Sequence, residues 1–410
     1  MKLNFEIKKQ YRNIDIIIIS LNCYNIYMSY YQLPRTNFLI QNHIDYIVSE
    51  NNPDIFISSS LATYLYEIKK RIDMIEQEWD IHKKYTNPYE YIHTLIPNRK
   101  KCVSKYIPLS RSYFKMLEII NTFDLKFDSK PIKTFHLAEG PGGFIEAIAN
   151  KRNCSYDSYI GMTILDDKND PNIPAWKKTE TFLKKNPNVK IETGKDKTGN
   201  ILTLENFVYC KEKYGSSMDF ITGDGGFDFS EDFNSQEIHI ADLLMAQIFY
   251  ALIMQKKGGS FVLKIFDCFM NHTIDLLYIL SSFYESVYII KPYTSRYANS
   301  EKYVVCKNFI YANSNSYYEI LYETFNKMVD NKGEKKVLRF FNTPLNYNFV
   351  IKMEEYNAVF GQQQIENIHY TISLIENKFK QEKIDKLLKI NVSKCIYWCN
   401  KHTVPCNKDL

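Results

Sequence analysis

The chain has 410 residues and a mass of 48.5 kDa, which exceeds a typical single domain. We expect one large core with terminal additions, or two domains. The net charge of +5, from 52 basic and 47 acidic residues, is too small to indicate nucleic-acid binding by itself. The nine cysteines are scattered singly, which is typical of a reducing compartment and excludes a disulfide framework.

An apolar run at residues 14–21 is too short to span a bilayer and lacks the features of a signal peptide. It predicts a buried strand. We expect an intracellular protein without membrane contact, either cytoplasmic or nuclear, or in a virion or viral factory if the source is a virus. A helix is predicted at 59–84, where apolar residues recur at helical spacing.

Strands and helices alternate from about residue 105 to residue 309, which predicts a mostly parallel sheet of an α/β fold. The predicted strands are 134–137, 159–163, 189–192, 218–222, 260–265, 287–291 and 301–307, and the predicted helices are 112–121, 143–150 and 238–255. Helices at 317–329 and 365–379 follow. We therefore predict a mainly helical N-terminal region (1–104), a core domain (105–310) and a helical C-terminal region (311–410).

A glycine-rich turn, Glu-Gly-Pro-Gly-Gly-Phe at 139–144, lies between a predicted strand and a predicted helix. Proline fixes φ, and consecutive glycines allow positive φ and the close approach of a ligand. In a doubly wound α/β fold this geometry brings backbone amides to a nucleotide-like cofactor. The third glycine of the dinucleotide fingerprint is missing, which disfavours a dehydrogenase.

Polar residues follow several predicted strands, at the edge where open α/β sheets bind ligands: Glu139, Thr163, Asp224 and Lys264. Asp224 precedes two glycines, so no bulky neighbour shields its carboxylate. Lys264 ends an apolar run, where a lysine is costly unless it is paired, functional or able to reach solvent. An aspartate and a lysine beside this turn favour methyl transfer from S-adenosylmethionine over hydride transfer.

The chain resembles the FtsJ-like RNA 2′-O-methyltransferases, and most closely the cap-specific mRNA ribose methyltransferases of eukaryotes and large DNA viruses. The matching segments occur in the family's order at 110–118, 136–144, 195–201, 223–226, 261–266 and 291–303. The last of them is Lys-Pro-x-x-Ser-Arg-x-x-Asn-Ser-Glu-Lys-Tyr. The resemblance covers roughly half of the chain and implies a Rossmann-like methyltransferase core.

The resemblance implies a catalytic tetrad of two lysines and two acids, Lys115, Asp224, Lys264 and Glu301. A ribose 2′-hydroxyl is a poor nucleophile, so Lys264 would accept its proton or ease the loss of that proton. As a base near neutral pH, a lysine needs its pKa lowered from about 10.4 by roughly three units. Lys115 would lower it and the two acids would oppose that change. Alternatively, Lys264 mainly orients the hydroxyl.

The resemblance also implies S-adenosyl-L-methionine as the cofactor, with Glu139, Gly140, Pro141, Gly142, Gly143, Phe144, Thr163, Asp196 and Asp224 around it. The glycine turn would hold the methionine moiety. Asp196 would lie near the adenine amino group and Thr163 near the ribose or adenine, although an aspartate in a loop is most often a turn former. Many relatives end the first core strand with aspartate, so it stays open which acid meets the methionine amino group.

By the same resemblance, RNA contacts fall in the polar loop before Glu301, at Lys291, Arg296, Asn299 and Ser300. The alternative is a hairpin loop whose basic residues are merely solvated. The expected partner is capped RNA, with other capping or transcription proteins as further partners. The flanking regions and this loop favour methylation near the mRNA cap over methylation of rRNA or tRNA. Retention of all four tetrad positions argues against an inactive scaffold subunit.

Two other features are weak as functional signals. Cys395, Cys399, His402 and Cys406 lack the usual Cys-x2-Cys spacing of zinc sites and fit an amphipathic terminal helix, so we expect no metal. His136 on a strand is expected to be a hydrogen-bonded core histidine.

Overall fold

The computed structural model describes residues 30–36, 40–125, 127, 130–166, 175–226, 234–377, 381–408 and 410. The strand predicted at 14–21 lies outside these residues. The described chain forms a mixed eight-stranded sheet flanked by helices, and a separate two-stranded sheet. None of the helices described is long and apolar enough to cross a membrane.

The strands, in chain order, are β1 (Tyr30–Leu33), β2 (Ile44–Ser49), β3 (Lys133–Leu137), β4 (Ser158–Met162), β5 (Val189–Glu192), β6 (Met218–Gly223), β7 (Gln255–Ile265), β8 (Tyr284–Ile290), β9 (Lys302–Phe309) and β10 (Lys336–Phe341). The helices are α1 (Ser59–Asp73), α2 (Glu76–Thr86), α3 (Ser112–Thr122), α4 (Gly143–Arg152), α5 (Glu180–Lys185), α6 (Leu204–Tyr214), α7 (Gln236–His239), α8 (Ala241–Met254), α9 (Asn271–Phe283), α10 (Tyr318–Asn331), α11 (Tyr347–Glu376) and α12 (Gln381–Lys401).

The large sheet has the strand order β1-β8-β9-β7-β6-β3-β4-β5. The strands β5, β4, β3, β6 and β7 are mutually parallel, so their carboxyl ends meet at one edge. β9 runs antiparallel to β7, with Lys264 opposite Tyr303. The amino end of β9 therefore reaches the same edge as the carboxyl ends of the parallel strands. This topology brings residues from distant parts of the sequence to one place.

Helices cover both faces of the sheet, so the central strands β3 and β6 are largely buried on both sides. On one face lies α8, in which every residue except Asp242 is buried. On the other face α3 packs against α4, and the C-terminal helix α12 packs over α3 through Trp398, whose ring lies 5.8 Å from that of Phe114. The prediction of a mostly parallel α/β sheet is confirmed.

Three predicted helices have different bounds in the structure. The helix predicted at 59–84 is two helices, α1 and α2, because Ile75 leaves the helical region with φ −133° and ψ 29°. The apolar spacing continues across this break since both helices pack against α11. The helix predicted at 238–255 divides into α7 and α8, and the Lys-Lys-Gly-Gly segment that follows the predicted helix lies in β7.

The helix predicted at 365–379 begins much earlier, at Tyr347. The part of this helix before residue 365 buries amide side chains on the face that packs: Asn357 donates to the carbonyl of Cys268 and Gln364 donates to that of Ala298. These buried polar residues interrupt the apolar pattern from which a helix is predicted. The C-terminal region also contributes a strand, β10, which the helical pattern of that region did not indicate.

The N-terminal and C-terminal regions are joined by the pairing of β2 with β10. Arg339 of β10 makes a bidentate ion pair with Asp275 of α9, with N–O distances of 2.7 and 2.9 Å. The Asp275 carboxylate is fully buried and also accepts a hydrogen bond from the backbone N–H of Phe340. One buried carboxylate therefore fixes the small sheet to the core.

Replacing Arg339 by methionine should lower the free energy of unfolding by about 3 kcal/mol, because removing one partner leaves a buried carboxylate uncompensated. Urea denaturation followed by circular dichroism measures this change. The matched control is Arg71→Met, which breaks an ion pair with Glu376 whose side chains are 46% and 63% exposed. The control should change stability by less than about 1 kcal/mol. Equal losses in the two variants would contradict the role given to Asp275.

Candidate active site

The four residues of the predicted tetrad converge at the carboxyl edge of the parallel strands. Lys115 projects from α3 and its ammonium lies 2.7 Å from the carboxylate of Glu301, which immediately precedes β9. Lys264 on β7 lies 3.3 Å from the carboxylate of Asp224, which follows β6, and donates a 2.7 Å hydrogen bond to the Asp224 carbonyl. The four side chains are only 12–16% exposed. The site therefore consists of two neighbouring ion pairs.

Tyr303 connects the two ion pairs, and we assigned it no role from the sequence. Its hydroxyl lies 3.4 Å from the Asp224 carboxylate and 3.3 Å from that of Glu301. The side chain is fully buried against Phe144 of the glycine turn, with 5.8 Å between ring centroids. The sequence does carry a signal for this position of Tyr303. Side chains two residues apart in a strand point to the same face, so Tyr303 lies on the same side as Glu301.

The two acids of the tetrad differ in their electrostatic environment. Burial raises the pKa of Asp224, although the charges of Lys264 and Lys115 oppose that shift. For Glu301, burial acts in the same upward direction, but the charges of Lys115, Lys264 and Lys291 outweigh it and hold its pKa below the usual value. Glu301 therefore stays ionised across the physiological range and balances the two lysines.

The glycine turn has the strand–turn–helix geometry that its sequence predicts. The Gly140–Pro141 peptide bond is cis, and Gly142 has φ +103°, a conformation that favours glycine. The buried carboxylate of Glu139 accepts hydrogen bonds from the backbone N–H groups of Phe144 and Ile145, at 2.5 and 3.4 Å. Glu139 thus satisfies donors at the start of α4, where the helix dipole favours a negative charge.

The chemistry of this edge fits a cationic, nucleotide-like cofactor such as S-adenosylmethionine. Burial raises the pKa of Glu139 well above its usual value, and the nearby carboxylate of Asp224 adds to the rise. Two buried acids that repel each other are stabilised by a cation placed between or beside them. S-adenosylmethionine carries a sulfonium and an ammonium group, and the turn at 140–143 allows a ligand to approach its backbone closely.

The structure places the other predicted cofactor residues in loops at the same edge of the sheet as this turn. Thr163 directly follows β4 and is buried. Asp196 lies in the loop after β5, where its carboxylate accepts hydrogen bonds from Thr198, Asn206 and Thr203. Burial would raise the pKa of Asp196, but these hydrogen bonds lower it. Asp196 therefore shapes its own loop, and its contact with adenine stays a prediction.

The loop from Lys291 to Ser300 is held by the protein at most of the positions predicted to bind RNA. The Lys291 ammonium is buried and donates three hydrogen bonds, to the carbonyl and side chain of Asn299 and to the carbonyl of Glu301. Burial lowers the pKa of Lys291 well below its usual value. The hydroxyl of Ser300 is buried against Asp267. This geometry does not support RNA contacts by Lys291 and Ser300.

Arg296 and Asn299 are the more accessible members of this loop. Arg296 makes two hydrogen bonds to Glu90, of 3.1 and 2.7 Å, yet 36% of its side chain is exposed. Asn299 is exposed, although its side-chain oxygen accepts from Lys291. RNA contact by Arg296 and Asn299 stays a prediction.

Two buried carboxylates outside the tetrad hold this loop against α3. Glu90 accepts hydrogen bonds from Arg111 at the start of α3 and from Arg296, and these arginines keep its pKa low although burial would raise it. Glu118 accepts from the backbone of Tyr293 and from Trp398 of α12. A charged residue within the apolar pattern of α3 is the sequence signal that indicates such a role for Glu118.

The residues set aside as weak signals have structural partners. His136 is fully buried and its ring nitrogens bond to Thr134 and Thr222, at 2.8 and 2.7 Å, so the prediction of a core histidine is confirmed. Burial lowers its pKa to about 3. Cys395 and Cys399 are buried on α12, which confirms the predicted terminal helix. The described residues contain no group of three or more potential metal ligands.

A doubly wound sheet with a glycine turn and charged residues at its carboxyl edge defines a Rossmann-like methyltransferase fold. Residues 108–309 match the model of the FtsJ-like methyltransferase family. The chain therefore contains an FtsJ-like methyltransferase domain, as the resemblance implied.

Curated relatives are similar to a larger part of the chain. Cap-specific mRNA (nucleoside-2′-O-)-methyltransferase 2 of Pongo abelii is 30% identical over 356 residues, which cover 80% of this chain and 43% of that protein. Methyltransferase 1 of the same name from Dictyostelium discoideum is 31% identical over 282 residues, covering 62% of this chain and 35% of that protein. The chain thus spans less than half of the length of these relatives.

Replacing Tyr303 by phenylalanine removes only the hydroxyl that connects Asp224 and Glu301. We expect the free energy of unfolding to fall by about 1 kcal/mol, because a hydrogen bond to a charged partner is lost. Urea denaturation provides the measurement. Tyr250→Phe is the matched control, since the buried Tyr250 hydroxyl has no hydrogen-bond partner among the described residues. The control should be neutral or slightly stabilising; a Tyr303→Phe protein as stable as the unmodified chain would refute the bridging role.

Proposed function

We propose that this protein transfers a methyl group from S-adenosylmethionine to the ribose 2′-hydroxyl of a nucleotide near the 5′ cap of mRNA. The observation that carries the proposal is the pair of lysine–acid ion pairs, joined by Tyr303, beside the glycine turn. The FtsJ-like domain and the names of the curated relatives support it. In this proposal residues 105–310 are the catalytic domain, and the regions 1–104 and 311–410 support it.

The glycine turn and the adjacent acids form the cofactor side of the proposed site. S-adenosylmethionine supplies an electrophilic methyl group on a sulfonium sulfur when it is bound. The backbone at 140–144 would hold the methionine moiety, and Glu139 and Asp224 would provide negative charge near its cationic groups. Thr163 and Asp196 would border the nucleoside part, since both lie in loops at the same edge of the sheet.

Lys264 would act on the acceptor hydroxyl. Its ammonium uses two of its three N–H groups on the carbonyl and carboxylate of Asp224 within the described residues, which fixes its direction. To act as the base, Lys264 would have to be in its neutral amine form, which would receive the hydroxyl proton. The hydroxyl oxygen would then take the methyl group as the bond between that carbon and the donor sulfur breaks. Asp224 stays beside Lys264 and stabilises the ammonium group that forms when the proton is accepted. Holding the hydroxyl in line with the methyl donor would raise the rate further, because the reacting atoms are already oriented for transfer.

Lys115 and Glu301 would position the acceptor nucleotide. Lys115 adds a second positive charge to the site that holds Lys264. Glu301 offsets this charge and remains ionised because the lysines lower its pKa. Arg296 and Asn299 would contact the ribose and phosphate of the acceptor, because they lie in the loop that leads directly into Glu301.

Lys264→Ala tests the proposal in an assay with labelled methyl donor and capped, uncapped or structured RNA. We expect the unmodified protein to methylate the ribose of capped RNA, and the variant to lose about 10²-fold or more in kcat. Cofactor binding, measured by calorimetry, should change little. Lys256→Ala is the matched control, because Lys256 lies at the opposite end of β7 and pairs with the partly exposed Asp219. The control should keep full activity.

Four outcomes would contradict the proposal. Methylation of a base would show a different acceptor. Unchanged activity in Lys264→Ala would remove the proposed base. Cofactor binding without transfer to any RNA would indicate an inactive scaffold, and a preference for structured rRNA or tRNA over capped RNA would change the substrate class.

A further inference from the structure

The segment between the two buried carboxylates Glu90 and Glu118 contains no aspartate or glutamate. It carries six lysines or arginines: Arg99, Lys100, Lys101, Lys105, Arg111 and Lys115. Arg111 and Lys115 are paired with Glu90 and Glu301 in the site. The other four cations are not part of the site, and three of them, Arg99, Lys100 and Lys101, are consecutive. This concentration of positive charge contrasts with the nearly balanced charge of the whole chain.

The three consecutive cations lie at the tip of a hairpin, which we define as residues 91–104. At its base the N–H groups of Val103 and Ser104 donate to the carbonyls of Tyr91 and Ile92, at 2.8 and 3.0 Å. Nearer the tip, the N–H of Ile96 donates to the carbonyl of Lys101 at 3.0 Å. Ile96 is buried, so the tip is held against the protein. These hydrogen bonds give the tip a fixed backbone.

Among the residues that the structure describes, no acidic side chain forms an ion pair with the cations of the tip. Arg99, Lys100 and Lys101 are exposed, and no ion pair or side-chain hydrogen bond joins them to any residue that the structure describes. Some exposed lysines elsewhere do have partners, such as Lys184, which pairs with Glu180. The tip also exposes Leu95, at 61%. A rigid surface with unpaired cations suits the sugar–phosphate backbone of a nucleic acid.

The base of the hairpin is connected to the active site through Glu90. Thr94 donates a 2.8 Å hydrogen bond to the same carboxylate that binds Arg111 and Arg296. The ring of His93 lies 6.3 Å from that of Phe114, which directly precedes the tetrad lysine on α3. The hairpin, the start of α3 and the loop before Glu301 are therefore held by one buried carboxylate.

We propose that the tip at 97–101 binds the backbone phosphates of the RNA next to the acceptor nucleotide, an inference that rests on the proposed function. Arg99 can hold a phosphate with two parallel hydrogen bonds, and Lys100 and Lys101 act as point charges. The contacts are independent of base sequence. They add affinity for the RNA and set its register, so the tip contributes to substrate binding and leaves the chemical step to the tetrad.

The test is the triple variant Arg99→Gln/Lys100→Gln/Lys101→Gln of the full chain, with a short capped RNA as the probe. Fluorescence anisotropy over a range of salt concentrations gives the RNA affinity. Each phosphate contact contributes roughly 0.7 to the slope of log affinity against log salt for a single strand, so the slope should shrink by about 2. The KM for RNA should rise about tenfold with kcat nearly unchanged, because uniform binding is lost. Cofactor affinity should stay the same.

The matched control is Lys130→Gln/Lys133→Gln/Lys257→Gln, which removes the same charge from exposed residues near the amino ends of β3 and β7. A control with an unchanged salt slope supports the tip. Equal weakening of both triple variants, or no change in the tip variant, overturns the inference. An unmodified protein that binds RNA through the tip but transfers no methyl group refutes the proposed function and leaves the inference standing. Normal methylation by the tip variant with unchanged KM refutes only the inference.

Discussion

The site depends on keeping two lysine ammonium groups together at one largely buried edge of the sheet. Isolated charges at such a place are costly, so each lysine needs a partner. Asp224 and Glu301 provide these partners from the end of β6 and the start of β9. The reversed direction of β9 is what makes this possible, because an antiparallel strand brings its amino end to the edge where the parallel strands finish. Tyr303 then links the two pairs.

The parts of the chain outside the core sheet supply the rest of this support. Glu90 precedes the core domain and Trp398 follows it, yet both contact the elements that carry Lys115 and Glu301. Glu118 joins the loop before Glu301 to the C-terminal region, because its carboxylate accepts hydrogen bonds from the backbone of Tyr293 and from the indole N–H of Trp398. A core domain without these regions would leave the buried Glu118 with unmet acceptor positions, which costs free energy. The terminal regions are thus part of the site's structure.

Much of this architecture could be predicted from the sequence, because local patterns determine it. The bounds of β5 agree fully with the prediction, and the other core strands differ mainly at their ends, since apolar runs and turn residues mark them. The four tetrad residues also lie together, as the resemblance to the family implies. The contacts of Arg296 and Lys291 could not be predicted, since they depend on Glu90 from a distant segment and on backbone carbonyls that no motif records. The same holds for β10, whose partner strand lies almost 300 residues away.

The distribution of unpaired charge changes where RNA contacts should be sought. A cation that already neutralises a buried carboxylate can turn toward a phosphate only by giving up that partner, and the carboxylate left behind would be destabilised. Arg296 is bound in this way through Glu90, and Lys291 would have to give up hydrogen bonds to Asn299 and to the carbonyl of Glu301. A cation in water releases only its hydration and counterions when it binds a phosphate. Exposed, unpaired cations on a rigid backbone near the site are therefore the cheaper source of affinity, while Lys291 is better used to hold the backbone of Glu301 in position.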